Sequence, residues 1–277
     1  MHPKTLDYGP YWHKKAVKGV RSLCVRGGLV YAGSASTVEV LTAEGKLVAR
    51  EFVRYAGVDR MLLNPVNRHI MLIRPHGGAG LHEVTTQNKV VAIDHWAMGR
   101  RDNLNSFGFN QVGQFQIGFF KEDGKWFAAD MLTGAQNRFI VRNPAGAPLY
   151  EADFGSGRLG SQLGIPNLGV RTLRGFAFAD LEGDGKTEIA LGHANGSIYV
   201  FDGKLNVKAL YHVYTIPLAF ASDGKAFFVG LNDGRIVTID KDGIRVIGRQ
   251  PSSITVLEVL PSGRLLAGCA DGTVAGY

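Results

Sequence analysis

The strongest constraint on the fold is a segment that occurs three times in the C-terminal half of the chain. The copies start at Gly192, Gly230 and Gly268, so successive copies are 38 residues apart. In each copy an Asn-Gly or Asp-Gly pair follows at the same offset and leads into alternating apolar residues. Such pairs tolerate positive φ at both central turn positions and close two-residue hairpins between antiparallel strands. The repeat therefore predicts three similar hairpins.

More strands flank these hairpins. An apolar run precedes each hairpin, at 175–179, 216–220 and 254–257, and a further strand pattern follows two of them, at 207–211 and 244–247. Four antiparallel strands in about 40 residues form the blade of a β-propeller. The repeats therefore predict consecutive blades of an all-β fold.

The N-terminal half shows the same organisation in a more diverged form. Blade-like strand patterns run from Gly19 to Arg54, from Val58 to Met98 and from Phe115 to Phe154. With the C-terminal repeats they predict a single closed β-propeller of about six four-stranded blades, seven being possible. We expect one domain that spans residues 1–277.

The two ends of the chain predict how the ring closes. Tyr277 aligns with Ile239 and Phe201, which end the third strands of the preceding blades, so the last blade lacks a fourth strand. Residues 8–17 precede the first blade and belong to none. We expect them to supply the missing outer strand, which would remove an open sheet edge. The alternative is that the chain was cut from a longer protein and the match of its ends is accidental.

Two Gly-, Asn- and Arg-rich stretches do not fit the blades, Gly99 to Gly113 and Gly155 to Arg171. Both join the last strand of one blade to the first strand of the next, on the same face as the hairpin turns. Long loops on a rigid scaffold often carry binding sites. The predicted ligand-binding residues of this loop-rich face are Arg74, His76, Arg100, Arg101, Arg158 and Arg171. The alternative is that both stretches are tolerated insertions.

An acidic segment between two predicted strands carries the clearest chemistry. Acidic side chains stand at positions 1, 3, 5 and 9 of this segment, and a glycine at position 6 permits a sharp turn. Calcium takes about six to eight oxygen ligands, and alternate residues of a tight loop can point inward together. The predicted calcium ligands are Asp180, Glu182, Asp184 and Glu188, with the carbonyl of Lys186. The alternative is a solvated acidic turn without a metal ion.

Residues 176–192 resemble the FG-GAP/VCBS family of propeller repeats. In that family an Asp-rich calcium loop links the first two strands of a blade, and the propellers commonly mediate adhesion or assembly at the cell surface. Glu182 stands where the family usually has Asp or Asn, and Glu188 where Asp is common. The resemblance implies a Ca²⁺ cofactor and an extracellular or cell-surface location. It covers this blade well, and the next two only in their strand pattern.

The charge balance narrows the choice of partner. The formal net charge is +7, which suits an acidic partner. Lys and Arg are scattered along the chain, so we expect a protein or an anionic glycan rather than nucleic acid. No run of about 18 apolar residues occurs, and no membrane span is expected. Cys24 and Cys269 lack metal-type spacing and are expected to be buried thiols, with a disulfide as the alternative.

Two functions are compatible with these features. The first is a non-catalytic binding or assembly module, which the family resemblance favours. The second is a lyase-type enzyme that acts on an anionic polysaccharide at the loop-rich face. Such an enzyme needs a base, His76 or His82, close to charge-neutralising groups, Arg74 and Arg100. We find no GxSxG, P-loop or HExxH motif in the sequence.

Overall fold

The computed structural model describes residues 20, 22–34, 36–53, 58, 60–73, 81–93, 112–134, 137–143, 146–154, 173–260 and 262–277. All regular elements within these ranges are β-strands. Among the same residues no helix is long and apolar enough to cross a membrane. The chain divides into two compact units, Met1–Trp96 and Ala97–Tyr277, and each is described by itself.

The first unit contains two four-stranded antiparallel sheets. Its strands are β1 (Ser22–Arg26), β2 (Leu29–Gly33), β3 (Thr37–Leu41), β4 (Leu47–Phe52), β5 (Arg60–Leu63), β6 (Ile70–Ile73), β7 (Leu81–Val84) and β8 (Val90–Ile93). The sheet orders are β1-β2-β3-β4 and β5-β6-β7-β8. One buried cluster draws Tyr31 and Val40 from the first sheet and Ile70 and Leu72 from the second, so the two sheets share a core.

The second unit contains four antiparallel sheets. Its strands are β9 (Val112–Glu122), β10 (Lys125–Gly134), β11 (Arg138–Arg142), β12 (Pro148–Asp153), β13 (Leu173–Ala179), β14 (Glu188–His193), β15 (Ser197–Asp202), β16 (Val207–His212), β17 (Pro217–Ser222), β18 (Phe227–Leu231), β19 (Arg235–Asp240), β20 (Gly243–Arg249), β21 (Ile254–Val259), β22 (Leu265–Cys269) and β23 (Val274–Gly276). Three sheets have four strands, ordered β12-β11-β10-β9, β13-β14-β15-β16 and β17-β18-β19-β20. The described part of the last sheet has three strands, β21-β22-β23.

The sheets correspond to the expected blades, and the propeller-like all-β architecture of repeated four-stranded sheets is confirmed. One boundary was wrong. β9 begins at Val112, inside a stretch expected to be a loop, because Val112 pairs with Gly134 beyond a β-bulge. The closed ring, with residues 8–17 as its last strand, stays a prediction. Cys24 is half-buried, Cys269 is buried, and both are free thiols.

Glycines on the second strands of the sheets allow neighbouring sheets to approach closely. Gly192 on β14 and Gly230 on β18 start two of the sequence repeats. A Cβ atom on Gly192 would overlap the ring of Phe220 in the next sheet, and one on Gly230 would overlap Ile254. The repeated glycine is therefore a point of contact between sheets, where any side chain would force them apart.

A buried ion pair joins two strands of the first sheet in the second unit. Arg142 Nε lies 2.5 Å from Asp130 Oδ1, and Arg142 Nη2 lies 3.2 Å from Oδ2. The remaining guanidinium nitrogen donates to the carbonyl of Gly146 at 3.1 Å. The two side chains are 2% and 0% exposed. Because both are shielded from water, loss of either one leaves a buried charge without its partner.

Asp130→Ala is expected to lower the free energy of unfolding by about 3–5 kcal/mol, because the Arg142 charge stays buried and unpaired. Glu151→Ala is the matched control, since Glu151 pairs with Arg138 and their side chains are 35% and 24% exposed. Its loss is expected to be below about 1 kcal/mol. Urea denaturation measures both variants, and equal losses would contradict the structural role of the buried pair.

Candidate functional site

The acidic loop, residues 180–187, joins β13 to β14. The backbone N–H groups of Asp184 and Gly185 donate to the Asp180 carboxylate at 3.1 and 2.9 Å. Asp184 Oδ1 in turn accepts the N–H of Lys186 at 2.9 Å. Gly183 and Gly185 have φ of 71° and 80°, a backbone conformation that glycine adopts without steric cost. The two aspartates therefore close the turn by binding its own backbone.

The two glutamates associated with this loop bind a lysine from the outer strand of the same sheet. Lys208 Nζ on β16 lies 2.6 Å from Glu182 Oε1 and 2.8 Å from Glu188 Oε1. The second oxygen of Glu188 accepts the N–H of Leu181 at 2.8 Å. The side chain of Glu188 is 2% exposed, that of Lys208 is 34% exposed and that of Glu182 is 53% exposed. Each oxygen of the buried Glu188 carboxylate thus has a donor.

The protonation of Lys208 follows from these contacts. Partial burial by itself lowers the pKa of the ammonium group, but the hydrogen bonds with Glu182 and Glu188 outweigh it, so the pKa lies above its ordinary value. Lys208 is therefore a cation at neutral pH, held between two carboxylates.

This arrangement does not fit the calcium ion expected at Asp180, Glu182, Asp184, Lys186 and Glu188. Two of the expected ligand carboxylates share an ammonium group, and a third is engaged by backbone N–H groups. The expected ligand role of the Lys186 carbonyl stays a prediction, and the Lys186 side chain is largely exposed, with its Nζ 3.9 Å from Asp184 Oδ2. Among the described residues no group of three or more His, Cys, Asp or Glu side chains is placed to hold a metal ion.

Lys208 is the residue that the sequence reasoning missed. Lys208 is 20 residues from Glu188 along the chain, and one strand of the sheet lies between their two strands. No local sequence motif could therefore indicate this contact. The available signal was a lone lysine within an otherwise apolar outer strand, 207–211.

The expected ligand-binding residues of the loop-rich face lie outside the described residues. They are Arg74, His76, Arg100, Arg101, Arg158 and Arg171. Their convergence stays a prediction.

A second surface lies on the connection between β16 and β17. Tyr214 has φ of 57° and is 86% exposed. Its ring meets the exposed His212 ring edge to face, with the centroids 4.7 Å apart. Asn195 lies in the turn between β14 and β15, and Arg235 is the first residue of β19. We call these four residues the Tyr214 surface.

The backbone of this connection is held from two sides. The N–H of Val213 donates to the carbonyl of Gly196 at 2.8 Å, and Arg235 Nη2 donates to the carbonyl of Val213 at 2.7 Å. Gly196 packs so closely that a Cβ atom there would lie 3.2 Å from the backbone of Thr215. The connection is therefore a fixed support for the exposed Tyr214 ring.

His193 lies beneath the same turn and is buried. Its Nδ1 accepts the N–H of Asn195 at 3.2 Å, and its ring stacks on Phe154 with the centroids 6.4 Å apart. Burial lowers the pKa of His193 below its ordinary value, and the charge of Arg174 lowers it further, against the hydrogen bond from Asn195. His193 is thus a neutral structural side chain at neutral pH.

The chain matches no protein-family model and no curated protein. Many solved structures are similar to it, among them the following three. The computationally designed Ika8 protein has a TM-score of 0.62 and 16% identity, over 94% of this chain and 71% of that one. Saccharomyces cerevisiae Sqt1 has a TM-score of 0.62 and 16% identity, over 91% and 67%. Kuenenia stuttgartiensis hydrazine synthase has a TM-score of 0.62 and 14% identity, over 92% and 82%. At these identities the similarity shows the fold alone.

His193 is expected to make folding depend on pH below about 6.5, where the unfolded histidine gains a proton and the folded one does not. Stability is therefore lost as the pH falls from about 7 to about 5. His193→Leu, which introduces the residue type of the equivalent Leu231, should remove this part of the dependence. Urea denaturation at both pH values measures it. A variant that keeps the full wild-type pH dependence would contradict the neutral, buried histidine.

Proposed function

We propose that this chain is a non-catalytic binding or assembly module and that the Tyr214 surface contacts a partner protein. The observation that carries the proposal is the exposed Tyr214 ring on a left-handed backbone. A left-handed conformation costs an L-residue about 1–2 kcal/mol, and bulky residues adopt it rarely. Such strain persists where the surrounding structure enforces it, and it clusters at functional positions.

The composition of the surface favours a protein partner. Tyr and Arg are, with Trp, the residue types enriched at the energetic centres of protein interfaces. Tyr214 presents an aromatic ring that His212 contacts. Arg235 donates to the carbonyl of Val213, the residue before Tyr214, and the exposed Asn195 precedes Gly196, whose carbonyl accepts the N–H of Val213. An apolar centre with a polar rim is the usual anatomy of such an interface. A rigid support also reduces the entropy that binding would otherwise lose.

Tyr214→Gly is expected to weaken partner binding while raising the free energy of unfolding by about 0.5–1 kcal/mol, because glycine relieves the left-handed strain. Affinity capture with the wild type and the variant identifies the partner, and titration of the purified partner gives both Kd values. The expected increase in Kd is at least about tenfold, as for an interface hot spot.

Leu210→Ala is the control, since Leu210 is an exposed apolar residue of the preceding strand, β16, and lies outside the Tyr214 surface. It should leave Kd unchanged. Equal Kd values for the wild type and Tyr214→Gly would contradict the assigned surface. Retention of an anionic glycan in place of a protein would contradict the assigned class of partner.

For the scaffold, we propose a single closed propeller in which residues 8–17 form the outer strand of the last blade. In the second unit, Gly268 stands at the position of Gly192 and Gly230, yet only Val256 of its own sheet lies near it among the described residues. Val256 and Val274 are largely exposed there. These features are those of a sheet face that still has room for a neighbour.

The first sheet of the first unit also has exposed apolar residues on its first strand. Leu23 and Val25 on β1 are largely exposed apolar residues. A closed ring would cover the exposed apolar residues of both the first and the last sheet. It would also leave no open edge on β23.

Removal of residues 1–17 is expected to cause aggregation or to lower the melting temperature, because an edge strand and an apolar sheet face would lose their cover. Removal of residues 1–7 is the matched control and should have no such effect. Light scattering and thermal melting measure both. A chain that lacks residues 1–17, yet stays monomeric with an unchanged melting temperature, would contradict closure by this segment.

The lyase-type alternative requires Arg74 and Arg100 with His76 or His82 as the base, and of these only His82, on β7, lies within the described residues. It stays a prediction.

A further inference from the structure

We infer that the Lys208 ammonium takes the place of a calcium ion in the acidic loop, so that this chain carries its own cation. In the predicted calcium loop the cation would join Glu182 to Glu188. In the structure Lys208 Nζ makes that connection, at 2.6 and 2.8 Å. This inference concerns the loop and does not depend on the partner proposed for the Tyr214 surface.

Burial explains why a cation is needed there. The Glu188 side chain is 2% exposed at the start of β14, where an ionised carboxylate without a countercharge would be strongly unfavourable. A lysine ammonium is a compact charge with three donors, so it can bind two carboxylates at once. The same contact fastens Glu182, and with it the acidic loop, to the outer strand β16.

A β-bulge accounts for the position of Lys208. Val200 pairs with Ala209, and Phe201 pairs with Val207, so Lys208 is the extra residue between them. Bulges of this kind reorient a side chain relative to the regular strand. Lys208 is thus the unpaired residue of β16 beside Phe201 and Val200. It lies close to Glu188 in the ladder, because Glu188 pairs with Asp202, the residue after Phe201.

Two other sheets provide an internal comparison. Their third and fourth strands have the same one-residue bulge near the end of the third strand, and the extra residues are Val48 and Leu149. Both are exposed apolar side chains. The lysine therefore occurs in the sheet that has the acidic loop, and the bulge by itself does not require it.

The test compares melting temperatures in EDTA and in millimolar calcium for the wild type, Lys208→Met and Lys186→Met. Lys186→Met is the control, because it removes an exposed charge from the same loop without touching Glu182 or Glu188. We expect no calcium effect on the wild type or on the control. In EDTA, Lys208→Met should melt at least about 5 °C below the control, because it leaves Glu188 buried and unpaired. Calcium should restore at least half of that loss.

The double variant Lys208→Met/Glu188→Gln removes both charges. We expect it to melt above Lys208→Met in EDTA and to lose the calcium response. If Lys208→Met does not fold in EDTA, its folding on addition of calcium supports the inference in the same way.

Three results would overturn the inference: a wild-type melting temperature that rises in calcium, a Lys208→Met variant that melts like the control, or a Lys208→Met variant that calcium does not stabilise. None of these measurements involves the partner, so their outcome is separate from the test of the Tyr214 surface.

Discussion

The close contact between successive sheets is the constraint on which the rest of the structure depends. A β-sheet with two apolar faces needs a neighbour on each side, and the sheets must come close enough to exclude water. Glycine on the second strand makes this possible, because Phe220 and Ile254 occupy the space that side chains at Gly192 and Gly230 would need. The regular spacing of these glycines in the sequence therefore marks the positions at which successive sheets contact one another.

Several carboxylates are paired with a cation of their own sheet. Four sheets have an ion pair between residues of their own strands, namely Glu39–Arg50, Asp130–Arg142, Glu188–Lys208 and Asp240–Arg245. The buried Arg26 of the first sheet is different, because it donates to the carbonyls of Arg68, Val84 and Thr85, which belong to the second sheet and its turns. In the first unit the two sheets are therefore joined by polar contacts as well as by apolar packing.

The fold could be predicted from the sequence because its signals are local and periodic. The Asn-Gly and Asp-Gly turns and the alternation of apolar residues marked most of the strands within a residue or two. The sequence also located the acidic loop, but it did not indicate the lysine that binds the two glutamates of that loop. Lys208 contacts Glu188 across an intervening strand. It lies at a β-bulge, and the residue propensities of the sequence do not predict that bulge. Tyr214 was missed for a related reason, since the sequence Val-Tyr-Thr has none of the residues that favour positive φ.

A loop that binds calcium through carboxylates alone responds to the concentration of the ion and can serve as a switch. A lysine on the same chain is present at a fixed effective concentration, independent of the surrounding medium. The order of the acidic loop then belongs to the folded chain itself, in a calcium-poor compartment as much as in a calcium-rich one. On the inference drawn for this loop, the residue at position 208 is the difference between a loop that needs a free cation and a loop that carries its own.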